Sequence, residues 1–159
     1  MKKIIIKPIG IIHTPYKEPK GIPIQGKFKK GVRGTVRLFP EYQAGLKDIE
    51  GFSHVILIYY FDRSKEKRLT SRPFLEDETH GIFAIRSPHR PNHIGFSIVK
   101  LEKVEKNMIT FSEVDMLDGT PLLDIKPYVL HFDSREDVKN GWLEKHFESG
   151  EIPKRVKLE

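Results

Sequence analysis

The chain contains no cysteine. That absence excludes disulfides, zinc ribbons, thiolate nucleophiles and iron–sulfur clusters together, and it fits a reducing compartment. Long apolar runs are missing too: nothing approaches the roughly 20 residues that a membrane-spanning helix needs. The opening MKKIIIKPIG is basic and then apolar, but Lys7 and Pro8 break the stretch and no small-residue cleavage site follows. A signal peptide is therefore not expected, and the protein is expected in the cytoplasm, away from membranes. The motifs GxGxxG, P-loop, GxSxG and HExxH do not occur. Seven histidines are present, yet His89 and His93, four apart, fall in a proline-broken segment. No metal site is expected from them.

The 159 residues suit one domain of ordinary size with its own core. Hydrophobic residues at 38% and charged residues at 31% indicate a folded chain and not a disordered one. The net charge is +6 and the pI about 9.4. This favours a polyanionic partner, nucleic acid first. The same balance also fits a small basic protein with no such partner.

Short β signals dominate. Ile4 to Ile12 reads as a first strand. Thr35 to Phe39 alternates polar and apolar, and Ser53 to Phe61 (SHVILIYYF) is the β-branched and aromatic run of a central strand. Ile82 to Ile85, Phe96 to Val104 and Met108 to Val114 are further strands, the last two joined by a turn at Lys106-Asn107. Leu122 to Tyr128 is a last strand, which Pro127 pushes toward a sheet edge. Short helices are expected over Tyr42 to Asp48 and over Ser134 to Phe147. In the second, Ser134 caps the start and Val138, Trp142 and His146 share a face. The closely spaced strands predict a mainly β fold: a small closed or partly open β-barrel with a few short helices. Residues 1–133 form the barrel domain, and a C-terminal helix and tail, 134–159, pack on it. The stretch Asp62 to His80 has no clear element. It reads as a mobile or RNA-contacting loop, or as a solvated connection.

Three segments are chemically dense. In GIFAIRSPHRPNHIGFS, Gly81 to Ser97, prolines stiffen a loop that presents Arg86, Arg90 and Asn92. Guanidinium forks suit carboxylates and phosphates, although such arginines also pair with local carboxylates. In DMLDGTPLLDIKPY, Asp115 to Tyr128, Asp115, Asp118 and Asp124 crowd a turn. These carboxylates suit ribose hydroxyls or a cationic ligand, or simply cap the turn. In PKGIPIQG, Pro19 to Gly26, a stiff loop offers Gln25 as an amide reader of a base edge or ligand amino group.

Taken in order, IGIIHTPYKEP, PIQ, GFSHVILIYYF, GIFAIRSPHRPNHIGFS and DMLDGTPLLDIKPY resemble the successive blocks of the TsaA/TrmO proteins, from about Ile9 to Tyr128. The resemblance implies a β-barrel methyltransferase that uses S-adenosylmethionine as methyl donor and acts as a homodimer. It implies a tRNA substrate, N6-threonylcarbamoyladenosine next to the anticodon, methylated on N6. Carried over by matching blocks, Pro23, Ile24, Gln25, Asp62, Arg63, Arg86, Phe96, Asp115, Met116, Leu117 and Asp118 would hold the donor. Arg90, Asn92, Lys126 and Tyr128 would contact the substrate, with Thr120 and Asp124 shaping the same wall. Ile24 stands where many bacterial members carry a basic residue, and Asp62-Arg63 where some carry His-Gln. Longer members continue into a C-terminal domain, whereas this sequence runs 31 residues beyond Tyr128 (159 minus 128).

Transfer of a methyl group from a sulfonium is an in-line displacement that rewards positioning. The nitrogen must also lose a proton, for which Asp118, another Asp of that loop, or His89 is the expected acceptor. Lys27, Lys29, Lys30, Arg33 and the Asp62–Arg72 loop would hold the RNA backbone, and Phe28, Tyr60 or Phe74 would stack an exposed base. Two other readings remain open: a non-enzymatic RNA-binding barrel, and a methyltransferase with another small or RNA substrate. A metal-dependent hydrolase is more distant.

Overall fold

Eight strands, the longer of them set by runs of β-branched and aromatic residues, form in the computed structural model, which describes residues 2–147. They are β1 (Gly10–His13), β2 (Arg33–Leu38), β3 (His54–Tyr60), β4 (Thr70–Ser71), β5 (His80–Gly81), β6 (Ile94–Glu105), β7 (Met108–Ser112) and β8 (Thr120–Pro127). Two one-turn helices follow, α1 (Leu130–Asp133) and α2 (Glu144–Phe147). Six strands close a barrel in the order β1-β2-β7-β6-β3-β8, with every pair antiparallel. Val55, Leu57 and Tyr59 of β3 point inward, as do Val36, Val99, Ile109, Phe111 and Leu122 from the other barrel strands. Side chains thus fill the barrel as a packed core, which suits this strand number. No described helix is long and apolar enough to cross a membrane.

The barrel and most of its strands match expectation, including the Lys106-Asn107 hairpin, where Glu105 faces Met108. Four expectations need correction. Ile4, Ile5 and Ile6 are exposed, and the first strand begins only at Gly10. Pro8 just upstream lacks the N–H that a ladder needs. Ile82–Ala84 is a 3-10 turn and not a strand. Four apolar residues in a row fit either period, and the buried pair, Ile82 and Ile85, is spaced three apart as a helical turn requires, not two apart as a strand does. β8 is not a sheet edge: β1 pairs with its first residues, Thr120 to Leu122, and β3 with the rest. Pro127 is tolerated because it lies beyond the β1 pairing, where one side has no ladder to feed.

The fourth correction concerns the C-terminal helix. Ser134 ends α1 instead of starting a helix, and only a 3-10 turn at Gly141–Leu143 and α2 follow. Gly141 takes φ +60°, which breaks the helical path that Val138, Trp142 and His146 would have shared. The tail expected over 148–159 lies outside the described residues. The short helix expected over Tyr42 to Asp48 is a 3-10 segment, Pro40–Leu46. The 62–80 stretch is tied down rather than free. β4 pairs with β5, and the Arg68 N–H donates to the His89 carbonyl at 2.9 Å.

Candidate functional site

A cavity of about 890 Å³ opens at one end of the barrel, where β3 ends and β6 begins. Its walls come from segments far apart in sequence. Ile22, Ile24 and Gln25 supply one side, and Phe61, Asp62, Arg63 and Ser64 another. The loop from Phe83 to Asn92 closes a third, and Phe96, Asp115, Met116 and Leu117 line the floor with Tyr59 and Thr120.

Local geometry explains why these groups meet. Arg86 reaches across to Gln25, Nη1 donating to Oε1 at 3.0 Å, with its guanidinium 5.8 Å from the Phe96 ring centre. Arg90 Nη1 donates to the Ile85 carbonyl at 3.1 Å and so braces its own loop. The turn after Arg90 puts Asn92 at φ 64° and His93 at φ 50°. His93 is buried, with Nδ1 3.0 Å from the Pro88 carbonyl. Gly95 is required by close approach: a Cβ there would stand 2.2 Å from the Tyr59 ring.

Asp115 is the most unusual group. One carboxylate oxygen accepts from Ser97 Oγ at 2.6 Å and the other from the Gly26 N–H at 3.1 Å. Burial pushes its pKa up to about 6, against the opposing pull of Ser97, Gly26 and Arg86. Tyr59 sits behind it, its hydroxyl 2.9 Å from Ser97 Oγ, and burial raises that phenol well above its usual range.

The sequence-derived site residues divide clearly. Ile24, Gln25, Asp62, Arg63, Arg86, His89, Arg90, Asn92, Phe96, Asp115, Met116 and Leu117 line the cavity. Pro23 is buried behind its neighbours. Asp118 faces elsewhere: its carboxylate accepts from the Thr14 N–H at 3.0 Å and pairs with Lys17, whose hydrogen bond holds its pKa below the usual range. Arg63 buttresses the same turn through the Asp118 carbonyl at 2.6 Å. Lys126 pairs with Asp124 at 2.7 Å on the outer face, and Tyr128 packs edge-on against His54. His89 keeps Nδ1 2.9 Å from Ser64 Oγ, leaving the rest of its ring to the cavity. Sequence reasoning did not single out Tyr59, Ser97 or Phe83. The first two look like ordinary inward residues of a strand, and only their junction with Asp115 marks them.

A second cluster lies outside the cavity. Glu76, buried, accepts from Lys145 (2.6 Å), His146 (2.9 Å) and His80. Lys145 first, then the two histidines, hold its pKa down at about 2.

Comparison with known proteins agrees with this geometry. Residues 11–134 match the family described as the tRNA-methyltransferase O N-terminal domain. A probable S-adenosyl-L-methionine-binding protein of Pyrococcus abyssi is 57% identical over 143 residues, covering 90% of this chain and 78% of that protein. The human tRNA (adenine(37)-N6)-methyltransferase is 36% identical over 142 residues, covering 85% of this chain but only 32% of the human protein. A crystal structure of TrmO from Pseudomonas aeruginosa superposes with a TM-score of 0.77 at 36% identity, covering 91% of this chain and 63% of that one. With the family model matching most of its length and a relative 57% identical over 143 residues, the chain belongs to the tRNA-methyltransferase O N-terminal domain family.

Proposed function

We propose that this protein is an S-adenosylmethionine-dependent methyltransferase that binds its donor in the barrel-mouth cavity and methylates N6 of threonylcarbamoyladenosine in a tRNA anticodon loop. The observation that carries the reading is the convergence on one cavity of Gln25, Arg86 and Asp115, from three motif blocks of a family whose relatives bear such names.

The residues fit the donor chemically. Arg86 suits its carboxylate, Asp115 a cationic or hydroxyl group, and Phe83 and Phe96 an aromatic base. The volume falls in the range of small-molecule sites. When bound, the donor supplies an electrophilic methyl group on a positively charged sulfur. The chain's own part is to hold and orient. Met116 and Leu117 exclude water from the floor, while Arg90 and Asn92 stand at the wall that faces an incoming substrate. Of the proton acceptors drawn from sequence, His89 lines the cavity, and the Asp118 carboxylate is committed to Thr14 and Lys17.

In this reading the protein acts in the cytoplasm as a homodimer. Support for a dimer comes from the outer face of β3 and β6, where Ile58, Tyr60 and Ile98 leave an apolar strip that runs into the cavity wall at Ile94 and Phe96. The domain expected over 1–133 carries the cavity, and the described residues that follow it, 134–147, act as an appendage to it.

Calorimetric titration with S-adenosylmethionine tests the proposal. The native protein is expected to bind, and Arg86→Ala to bind about 10- to 100-fold more weakly, as loss of one charged hydrogen-bond donor predicts. Methylation is expected of tRNA carrying the threonylcarbamoyl group and not of tRNA lacking it. A folded native protein that takes up no donor would overturn the reading in favour of a non-enzymatic RNA-binding barrel.

A further inference from the structure

The barrel interior is apolar along almost its whole length, yet three polar side chains are strung together at the cavity end. Tyr59 is 3% exposed and Ser97 2% exposed, and both point inward among Val55, Leu57 and Val99. A buried polar group is costly unless each hydrogen bond is made, and apolar side chains of similar volume would fill the same space at lower cost. The arrangement therefore calls for a reason beyond packing.

Donor accounting supplies one. An ionised carboxylate only accepts, so Ser97 must spend its single O–H on Asp115 at 2.6 Å. Its oxygen is then left to accept, and Tyr59 must be the donor across the 2.9 Å contact. Every proton in the series points the same way, from phenol to hydroxyl to carboxylate. The Gly26 N–H arrives from the opposite side at 3.1 Å. That approach is open to glycine alone, because a Cβ at Gly26 would lie 1.7 Å from the Glu113 carbonyl oxygen. Each carboxylate oxygen thus has one fixed donor and keeps further acceptor capacity, in a residue that lines the cavity.

We propose that Asp115 is the proton acceptor for methyl transfer, and that Ser97 and Tyr59 are positioning residues that hold its carboxylate in orientation and in its ionised state. The inference rests on the methyltransferase reading above. In the step, the acceptor nitrogen forms a bond to the methyl carbon as the carbon–sulfur bond breaks. The electron pair of that bond stays on sulfur as a neutral thioether. The proton released from nitrogen passes to Asp115, which leaves the positive charge of the donor neutralised. A carboxyl that titrates near neutrality is matched to such a task, whereas one with an ordinary carboxylate pKa is a weaker base.

Two measurements test this on the full chain with native, Ser97→Ala and Tyr59→Phe proteins. The first follows the Asp115 carboxyl by ¹³C NMR across pH 3 to 9, with no donor or RNA present. Loss of a donor to the charged form should move the Asp115 midpoint upward in Ser97→Ala, and by less in Tyr59→Phe. The second is single-turnover methylation at saturating donor. Its acidic limb should move to higher pH in Ser97→Ala by the same amount, so that for a midpoint raised by about one pH unit the rate falls about 10-fold at about pH 5 but only about 2-fold at about pH 7, with donor affinity changing little. An unmoved Asp115 midpoint overturns the positioning role, and a rate loss equal at every pH overturns the acceptor role. Should the native protein bind no donor, the function reading fails, and the carboxyl titration still decides whether Ser97 and Tyr59 govern Asp115.

Discussion

The half-buried Asp115 and the buried Glu76 are two carboxyls pushed in opposite directions, and their opposition sets how stability should vary with pH. Asp115 titrates in the fold near 6, above its unfolded value of about 3.9. Between those values the native state holds a proton that the unfolded chain has lost, so stability falls as pH rises from about 4 to 6 and is level above that. Glu76, drawn down to about 2 by Lys145, His146 and His80, gives the reverse. Its contribution is present above the unfolded pKa and is lost as pH falls toward 2. Urea midpoints measured from pH 2 to 7 should therefore show Asp115→Asn without the decline between pH 4 and 6 that the native protein shows. Parallel curves for the two would refute the raised pKa. Of these groups, sequence marked only Asp115, within its turn-rich block. Ser97 and Tyr59 obey strand alternation and so read as core. Glu76 gave no signal because its partners lie up to 70 residues away along the chain.

Among elements, the strands were legible and the C-terminal segment was not. β3, β6 and β7 announce themselves by β-branched alternation that the barrel simply uses. The segment after Ser134 was misread because its contacts, not its period, place it. Trp142 stacks on His80 with ring centres 4.7 Å apart, and its Nε1 donates to the Ala84 carbonyl at 2.9 Å. Ala84 lies between Phe83 and Ile85, both at the cavity wall. The 3-10 turn that carries Trp142, just ahead of α2, thus clasps the back of the loop that carries Arg86. Because Trp142 is half-buried, Trp142→Ala should cost about 1–2 kcal/mol, less than a fully buried aromatic. It should also weaken S-adenosylmethionine binding by loosening that wall. Denaturant melts and donor titration on this variant check both effects, and unchanged values in each would reduce the segment to an ornament.

At the level of the whole molecule, stability rests on one core inside one barrel. Phe111 is the largest of its fully buried side chains and touches the centre of the packing. Phe111→Ala should cost about 3–5 kcal/mol, a large share of the total for a domain of this size. The expected result is a lowered urea midpoint with little change of slope, since the surface exposed on unfolding is nearly the same. A drop below about 1 kcal/mol would mean that the barrel collapses around the gap.

Closure of the barrel joins Ile12 to Thr120, 108 positions apart (120 minus 12). On a ribosome adding about 5–20 residues per second, that interval lasts roughly 5 to 20 s. Until β8 is made, Gly10–His13 and, from the time it is itself complete, His54–Tyr60 each lack the neighbour that β8 later provides, and both present open ladders of N–H and C=O groups. The last strand to be made is therefore the one that ends the nascent chain's exposure to strand-on-strand association, and the Asp115 turn that completes the cavity emerges only just before it.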